Sequence, residues 1–189
     1  AINYEPLGFT NADRANVLRY IRSGSYWASN RSLSFRGYNY PNCTLFDASR
    51  TNATRVSSSY DNAEQCSLTD VVLPATLTTI SSGDFRYAKL QTITIFATTP
   101  PRIQSSYLTD NPDAVVRVPA DAVPIYKSTD RWKDYTIVAI DEDYANLTVQ
   151  LMQTPDSATI ARYMNMYLDL NNNESGTTRS LLVNSRNAY

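Results

Sequence analysis

The stretch that decides the fold is residues 68–140, which opens LTDVVLPATLTTISSGDFRYAKLQTITIFATTPPRIQ (68–104) and closes VRVPADAVPIYKSTDRWKDYTIVAI (116–140). Its apolar residues return at a fixed long interval: Leu68, Val71 and Leu73 are followed 22 positions later by Leu90, Ile93 and Ile95. A period of that length is produced by a solenoid, in which one short strand per repeat stacks on the next. Within each copy the apolar positions alternate, as in Val71/Leu73, Ile93/Ile95 and Val116/Val118, which is the pattern of inward-facing strand residues. Proline follows Leu73 and Val118 and ends each strand, because it has no N–H to give to a ladder.

The end of such a stack presents an apolar cross-section and a row of unpaired backbone groups. A short helix over 120–127, followed by Trp132, Tyr135 and Ile140, is suited to covering it. Tyr126, Trp132 and Tyr135 are therefore assigned to a structural cap. Upstream, Cys43-Thr-Leu45, Cys66-Ser-Leu68 and Ala88-Lys-Leu90 share a small-x-Leu form. This extends the repeat back by one degenerate unit, with Val56 near the position of Ile80 and Tyr60 near that of Phe85. On this alignment Cys43 and Cys66 stack about 5 Å apart, one strand spacing. A disulfide fits that geometry, and so do two buried thiols acting as small hydrophobes, the arrangement we favour.

Residues 68–140 also resemble the BspA-type leucine-rich repeat of Bacteroidetes surface proteins, with its pattern L-x-x-V-x-L-P-x-x-L-x-x-I-x-x-x-A-F. Leu68, Val71, Leu73, Pro74, Leu77, Ile80 and Phe85 fill those places, Asp84 replaces the usual small residue, and Gly83 supplies a turn. ATTPPRI and the segment 116–140 are similar to the terminal repeat that closes such arrays, through Pro100, Pro101, Ile103, Val116, Val118, Pro119, Val123, Tyr126, Lys127, Trp132, Tyr135, Ile137 and Ile140. The resemblance implies an α+β protein: a short leucine-rich-repeat-type β solenoid with a terminal cap, exposed at a cell surface. Three parts are expected: an N-terminal helix and irregular segment (1–42), repeats with their cap (43–140), and a C-terminal strand-helix extension (141–189).

The flanks read more simply. TNADRANVLRYIRSG predicts a helix with Thr10 or Asn11 as its cap, Asp13 in the first turn, Ala15, Leu18 and Ile21 on its buried face, and Gly24 as its stop. Leu147, Val149 and Leu151 alternate as in a strand. Ile160, Met164, Tyr167 and Leu168 then recur at helical spacing behind Pro155 and Asp156. Asp169, Asn171 and Asn173 imitate the first half of a calcium loop, but Glu174 stands where the turn glycine belongs and Ser180 where the bidentate glutamate belongs. No metal or other cofactor is expected.

Composition narrows the function. The chain has 189 residues, 17 basic and 18 acidic side chains and no histidine. Without a basic excess it is not a nucleic-acid binder. Without histidine, Ser-His and Cys-His triads are excluded. Paired acids occur only at Asp141-Glu142-Asp143 and at Asp110 and Asp113, which read as solvated groups rather than glycosidase carboxylates. There is no run of 18 apolar residues to span a membrane, and AINYEPLGFT lacks the charged and apolar regions of a signal peptide. With 14 tyrosines and few lysines, the surface suits contact with other molecules. The expectation is a non-catalytic, extracellular or cell-surface module binding a protein or glycan partner, or further copies of itself. Tyr26, Trp27, Arg31, Arg36, Tyr38 and Tyr40 are the candidate contact residues, as aromatics interleaved with arginines. The alternative is a structural unit of a phage virion or surface fibre, since an array this short gains from packing against other copies.

Overall fold

The computed structural model describes residues 10–23, 31–35, 42–58, 67–81, 90–104, 108–140 and 157–173. Among them are nine short strands: β1 (Ser32–Phe35), β2 (Leu45–Asp47), β3 (Arg55–Ser58), β4 (Asp70–Leu73), β5 (Thr79–Ser81), β6 (Thr92–Ile95), β7 (Arg102–Ile103), β8 (Val115–Val118) and β9 (Thr136–Ala139). The chain alternates between two parallel sheets, one of order β2-β4-β6-β8-β9 and one of order β1-β3-β5-β7. This is a parallel β-solenoid, and its stacking begins at Ser32, inside the segment expected to be irregular.

The periodicity is explained by the register. Phe46, Val71, Ile93, Val116 and Ile137 face one another in a row across the five-stranded sheet. Leu33, Val56, Ile80 and Ile103 form the matching row of the other sheet, with Val56 beside Ile80 as expected. None of these nine residues is more than 5% exposed. In the five-stranded sheet Leu73, Ile95 and Val118 are buried beside Val71, Ile93 and Val116, so successive turns build a continuous core with hydrophobic burial as the dominant favourable term.

Upstream the alignment needs correction by two residues. Leu45 pairs with Asp70, 25 residues on, whereas Asp70 pairs with Thr92, 22 on. The residue in the slot of Leu68 and Leu90 is therefore Cys43, and all three are fully buried. A gapless small-x-Leu match misses this because the first turn is longer than the second. Cys43 thus loses its equivalence to Cys66, which lies outside the described residues. The Cys43 thiol donates to the Leu45 carbonyl at 3.0 Å.

Among the described residues three helices accompany the sheets: α1 (Asn11–Ser23), α2 (Val123–Ser128), entered through a 3-10 turn at Ala120–Ala122, and α3 (Ser157–Asn173). Thr10 caps α1 as expected, with Asp13 N–H donating to Thr10 Oγ1 at 3.1 Å and Thr10 N–H donating back to Asp13 Oδ2 at 2.9 Å. The buried face of α1 differs from the expectation. Val17 and Tyr20 are fully buried, while Ala15 is exposed and Leu18 only half-buried. The cause is α3, against which α1 packs. In α3 the buried residues are Tyr163, Met164, Met166, Tyr167, Asp169 and Leu170. The segment that imitates a calcium loop is helical, and the Asp169 carboxylate is committed to backbone amides.

The residues assigned to the cap lie in and after α2. Tyr126 and Trp132 are buried edge to face, with ring centroids 5.2 Å apart. Tyr126 Oη donates to the Ala97 carbonyl at 2.8 Å and Trp132 Nε1 to the Pro101 carbonyl at 2.9 Å. Tyr135 Oη accepts from the amides of Leu108 and Thr109 and donates to the Thr109 carbonyl. Arg131, held at φ 71° in the left-handed region, donates its guanidinium to the Ile103 carbonyl. Ile140 is only half-buried, and Thr136–Ala139 continues the sheet as β9 rather than covering it.

At the other end of that sheet α3 and α1 meet the edge strand β2. Asp169 Oδ2 accepts from the amides of Cys43 at 2.6 Å and Asn42 at 2.9 Å, and Asp169 Oδ1 accepts from Asn42 Nδ2 at 3.2 Å. The Asp47 amide donates to Met166 Sδ at 3.3 Å, and the Asp47 carbonyl accepts from Tyr20 Oη. Asp169→Ala strips the acceptor from the Asn42 and Cys43 amides. Asn42 is exposed and its amide can turn to water, but the buried Cys43 amide left unpaired costs about 1–3 kcal/mol, so the variant is expected to lose about 1–3 kcal/mol in urea unfolding. Asp169→Asn retains an acceptor oxygen and loses less.

Candidate functional site

The outer face of the five-stranded sheet carries the strand residues that do not enter the core. Two rows cross it in register: Leu45, Asp70, Thr92, Val115 and Thr136, and beside them Asp47, Val72, Thr94, Arg117 and Val138. In the second row Asp47, Val72 and Thr94 are buried, Arg117 is half-buried and Val138 is 37% exposed. The reason is α3, which lies over the β2 end. Thr159, Arg162 and Tyr163, spaced i, i+3 and i+4, share one face of this helix.

Wall and floor enclose a cleft of ≈ 260 Å³. Its floor includes Val72, Thr92, Thr94 and Arg117, its wall Thr159, Arg162 and Tyr163, and its rim Ser49, Arg50 and Phe96. The charged groups are tied down in pairs. Arg50 Nη1 donates to Asp47 Oδ2 at 2.7 Å and to Tyr163 Oη at 3.4 Å. Arg162 Nη2 donates to Asp70 Oδ2 at 2.7 Å, while its Nε reaches Thr44 Oγ1 at 3.2 Å.

Asp47 is the hub of the cleft. Its Oδ2 accepts from Arg50 and from the Tyr163 hydroxyl, and its Oδ1 accepts from the amide of Ser49 at 2.9 Å and its hydroxyl at 2.6 Å. Asp70 Oδ2 likewise accepts from Arg162 and from the Thr69 hydroxyl at 3.0 Å. Burial opposes the charge on Arg50, but Asp47, Tyr163 and Tyr20 together outweigh it and hold the guanidinium's pKa above its ordinary value. Burial, reinforced by the Asp47 charge, pushes the Tyr163 phenol well above its usual range and keeps it a neutral donor. Among the buried side chains described, Arg50 Nε alone has no hydrogen-bond partner.

Of the residues expected to contact a partner, Arg31 alone is described. Arg31 is exposed just before β1, in the other sheet, and its Nε donates to the Asn52 carbonyl at 2.9 Å. Tyr26, Trp27, Arg36, Tyr38 and Tyr40 lie outside the described residues. Tyr126, Trp132 and Tyr135 hydrogen-bond to the backbone of residues 97–109, away from this cleft. Sequence reasoning missed Asp47, Arg50, Arg117, Arg162 and Tyr163. The outward positions of β4, β6 and β8 were available from the period-two pattern, but the placing of α3 across them was not. No protein-family model, curated protein or solved structure matches the chain. Among the described residues no helix is long and apolar enough to cross a membrane.

The wall is braced from α1 by Tyr167, whose hydroxyl donates to Asp13 Oδ1 at 2.6 Å. Slight burial raises the Asp13 pKa, but the hydrogen bonds from Tyr167 and Thr10 outweigh it, leaving the carboxyl below its usual 3.8. Stability from this group is therefore present above the unfolded value and lost as pH falls through the folded one. Asp169 has the opposite sign, because burial raises its pKa despite the amides it accepts, so its protonation on acidification favours the fold. Urea midpoints of wild type and Asp13→Asn are expected to differ near neutrality and to converge below pH 3.8, where Asp13 itself becomes protonated. A difference that persists at acid pH assigns the effect to the helix cap instead of the carboxylate.

Proposed function

We propose that the protein is a non-catalytic binding module of the BspA-like leucine-rich-repeat kind, secreted or carried at a cell surface, which presents its solenoid to a protein or glycan partner. The observation that carries this reading is the cleft on the outer face of the five-stranded sheet, walled by α3 and floored by β4, β6 and β8. Its floor is held by strand pairing and its wall by buried hydrogen bonds to β2, so little ordering remains to be done on contact. The polar lining, with one half-buried aromatic at Phe96, is the kind that fixes orientation through a few placed groups. Support for the family comes from the residues of 68–140 quoted above, now with Val71, Leu73, Ile80, Ile93 and Ile95 in a stacked core.

The alternative, a packing unit of a virion or fibre, rests on the brevity of the array. It draws less support once the β2 edge is met by α1 and α3 and the opposite end of the core by Tyr126 and Trp132. The test is to immobilise the protein over a glycan array and a panel of purified surface proteins. Saturable, reversible retention of at least one partner is expected, with Phe96→Ala weakening it about tenfold, or about 1.4 kcal/mol, and Lys127→Ala leaving it unchanged. Retention that survives Phe96→Ala but is lost in Tyr38→Ala and Tyr40→Ala moves the contact surface to residues 25–65. No retention of any partner, together with a symmetric oligomer by solution mass, overturns the reading in favour of the packing unit.

A further inference from the structure

The outer face of the four-stranded sheet is built differently from the cleft. The inward row of that sheet is apolar, so alternation turns Ser32, Arg55, Thr79 and Arg102 outward, in register from β1 to β7. Arg55 and Arg102 are exposed, and Ser32 and Thr79 are half-buried. Beside them runs a row of serines, Ser34, Ser57 and Ser81. These two rows hold hydroxyls and guanidinium groups, with no carboxylate and no aromatic ring among them. Neither Arg55 nor Arg102 has a side-chain hydrogen bond or ion pair among the described residues, so the donors of both face solvent.

Basic residues continue at both ends of the row. The Arg31 carbonyl accepts from the amides of Thr54 and Arg55, which sets Arg31 one layer before Arg55, and its exposed guanidinium donates through Nε to the Asn52 carbonyl. At the β7 end Arg102 shares an open recess of ≈ 470 Å³ with the exposed Arg131 and with Thr129 and Pro100. The carboxylate of this recess, Asp130, is met by Lys133 Nζ at 3.1 Å. Arginine thus recurs along the solenoid axis on this side, in a chain whose overall charge is only −1.

The layout of the charge selects among anionic partners. An extended peptide takes its main-chain hydrogen bonds from an open strand edge, whereas a sheet face offers side chains alone. A nucleic acid carries a phosphate at every residue, more charge than this row balances. Arg55 and Arg102 stand two strands apart, about 10 Å, with the Thr79 hydroxyl between them. A pyranose ring with its linking oxygen spans close to one strand spacing, so a glycan laid across the strands sets one residue over each. We propose that this face binds an acidic polysaccharide along the solenoid axis, with one anionic group on every second sugar: charged residues over Arg55 and Arg102, and a neutral one over Thr79. It is a second surface, apart from the cleft beside α3, and stands or falls without it.

The test is a ¹H–¹⁵N NMR titration of the full chain with four probes: hyaluronan oligosaccharides, which carry one carboxylate per disaccharide, oligogalacturonate, which is charged at every residue, neutral dextran, and poly-L-glutamate. Hyaluronan is expected to cause saturable shifts at the amides of Arg55, Thr79 and Arg102, and dextran none. With no ring to stack on, the binding weakens as salt rises from about 0.01 M to about 0.15 M and the Debye length falls from about 30 Å to about 8 Å. Arg55→Gln and Arg102→Gln together weaken it at least about tenfold and leave the thermal midpoint unchanged, since both side chains are exposed. Asp130→Asn strengthens it, by removing the carboxylate from the recess. Phe96→Ala leaves it unchanged, so failure on this face and failure of the cleft are read separately. Absence of saturable shifts, or shifts that survive the double substitution, overturns the proposal. Equal binding of poly-L-glutamate overturns it in favour of a protein or simple anion surface, and equal binding of oligogalacturonate overturns the alternation of charge.

Discussion

An edge strand cannot be left open, and in this protein that requirement fixes where the flanking helices go. Strand β2 ends the five-stranded sheet, so its outward backbone groups need partners from outside the ladder. They find them in side chains: the Cys43 amide in Asp169, the Leu45 carbonyl in the Cys43 thiol, the Asp47 amide in Met166 and the Asp47 carbonyl in Tyr20. The donors and acceptors come from residues 43, 45 and 47, which all point away from β4 because the strand alternates. Three of these partners belong to α1 and α3, so the two helices lie where the β2 edge needs them. The apolar face of α1 then turns toward α3, which is why Val17 and Tyr20 are buried and Ala15 is not.

The same residue that closes the edge organises the cleft. Asp47 gives its backbone to Met166 and Tyr20, and its side chain to Ser49, Arg50 and Tyr163. A buried carboxylate is tolerated only when paired and hydrogen-bonded, and here it is saturated. Its partner Arg50 is held at Nη1 by Asp47 and Tyr163, while its buried Nε has no partner among the described residues. A Met or Leu of similar volume would close the edge as well and avoid the desolvation of two charges. That the more costly arrangement lines a cleft is the physical reason to look for a ligand there.

The sequence contained the core but not the site. The inward rows were legible because they repeat: Val71, Ile93 and Val116 differ from their neighbours by a two-residue alternation that only a strand explains. Cys43 was legible as a small apolar position but was placed two residues out, since the first turn is longer and nothing local marks the insertion. The cap was legible because Trp132 and Tyr126 are too large and apolar to have another use beside a finished repeat. The cleft was not, because its making depends on pairs such as Asp70 with Arg162 and Asp47 with Tyr163, which are 92 and 116 residues apart. Periodicity speaks of neighbours along the strand and between turns. It carries no information about which helix returns from the far end of the chain to lie over the first turn.

The two ends of the five-stranded sheet are closed by different chemistry, and that difference places the cleft. At the β9 end Tyr126 and Trp132 are large aromatics that fill the cross-section and each give a single donor to a carbonyl, Ala97 or Pro101. Both rings are buried, so this cover is made chiefly of apolar surface. At the β2 end the cover is a helix laid across the sheet through polar side chains, and a helix on a twisted sheet touches it along part of its length only. Where α3 ends, the sheet face continues, and Thr94 and Arg117 lie beside the helix residues Thr159, Arg162 and Tyr163. A cleft at that junction follows from closing an edge with a helix instead of with an aromatic plug. The polar groups that made the closure possible are the ones that line it.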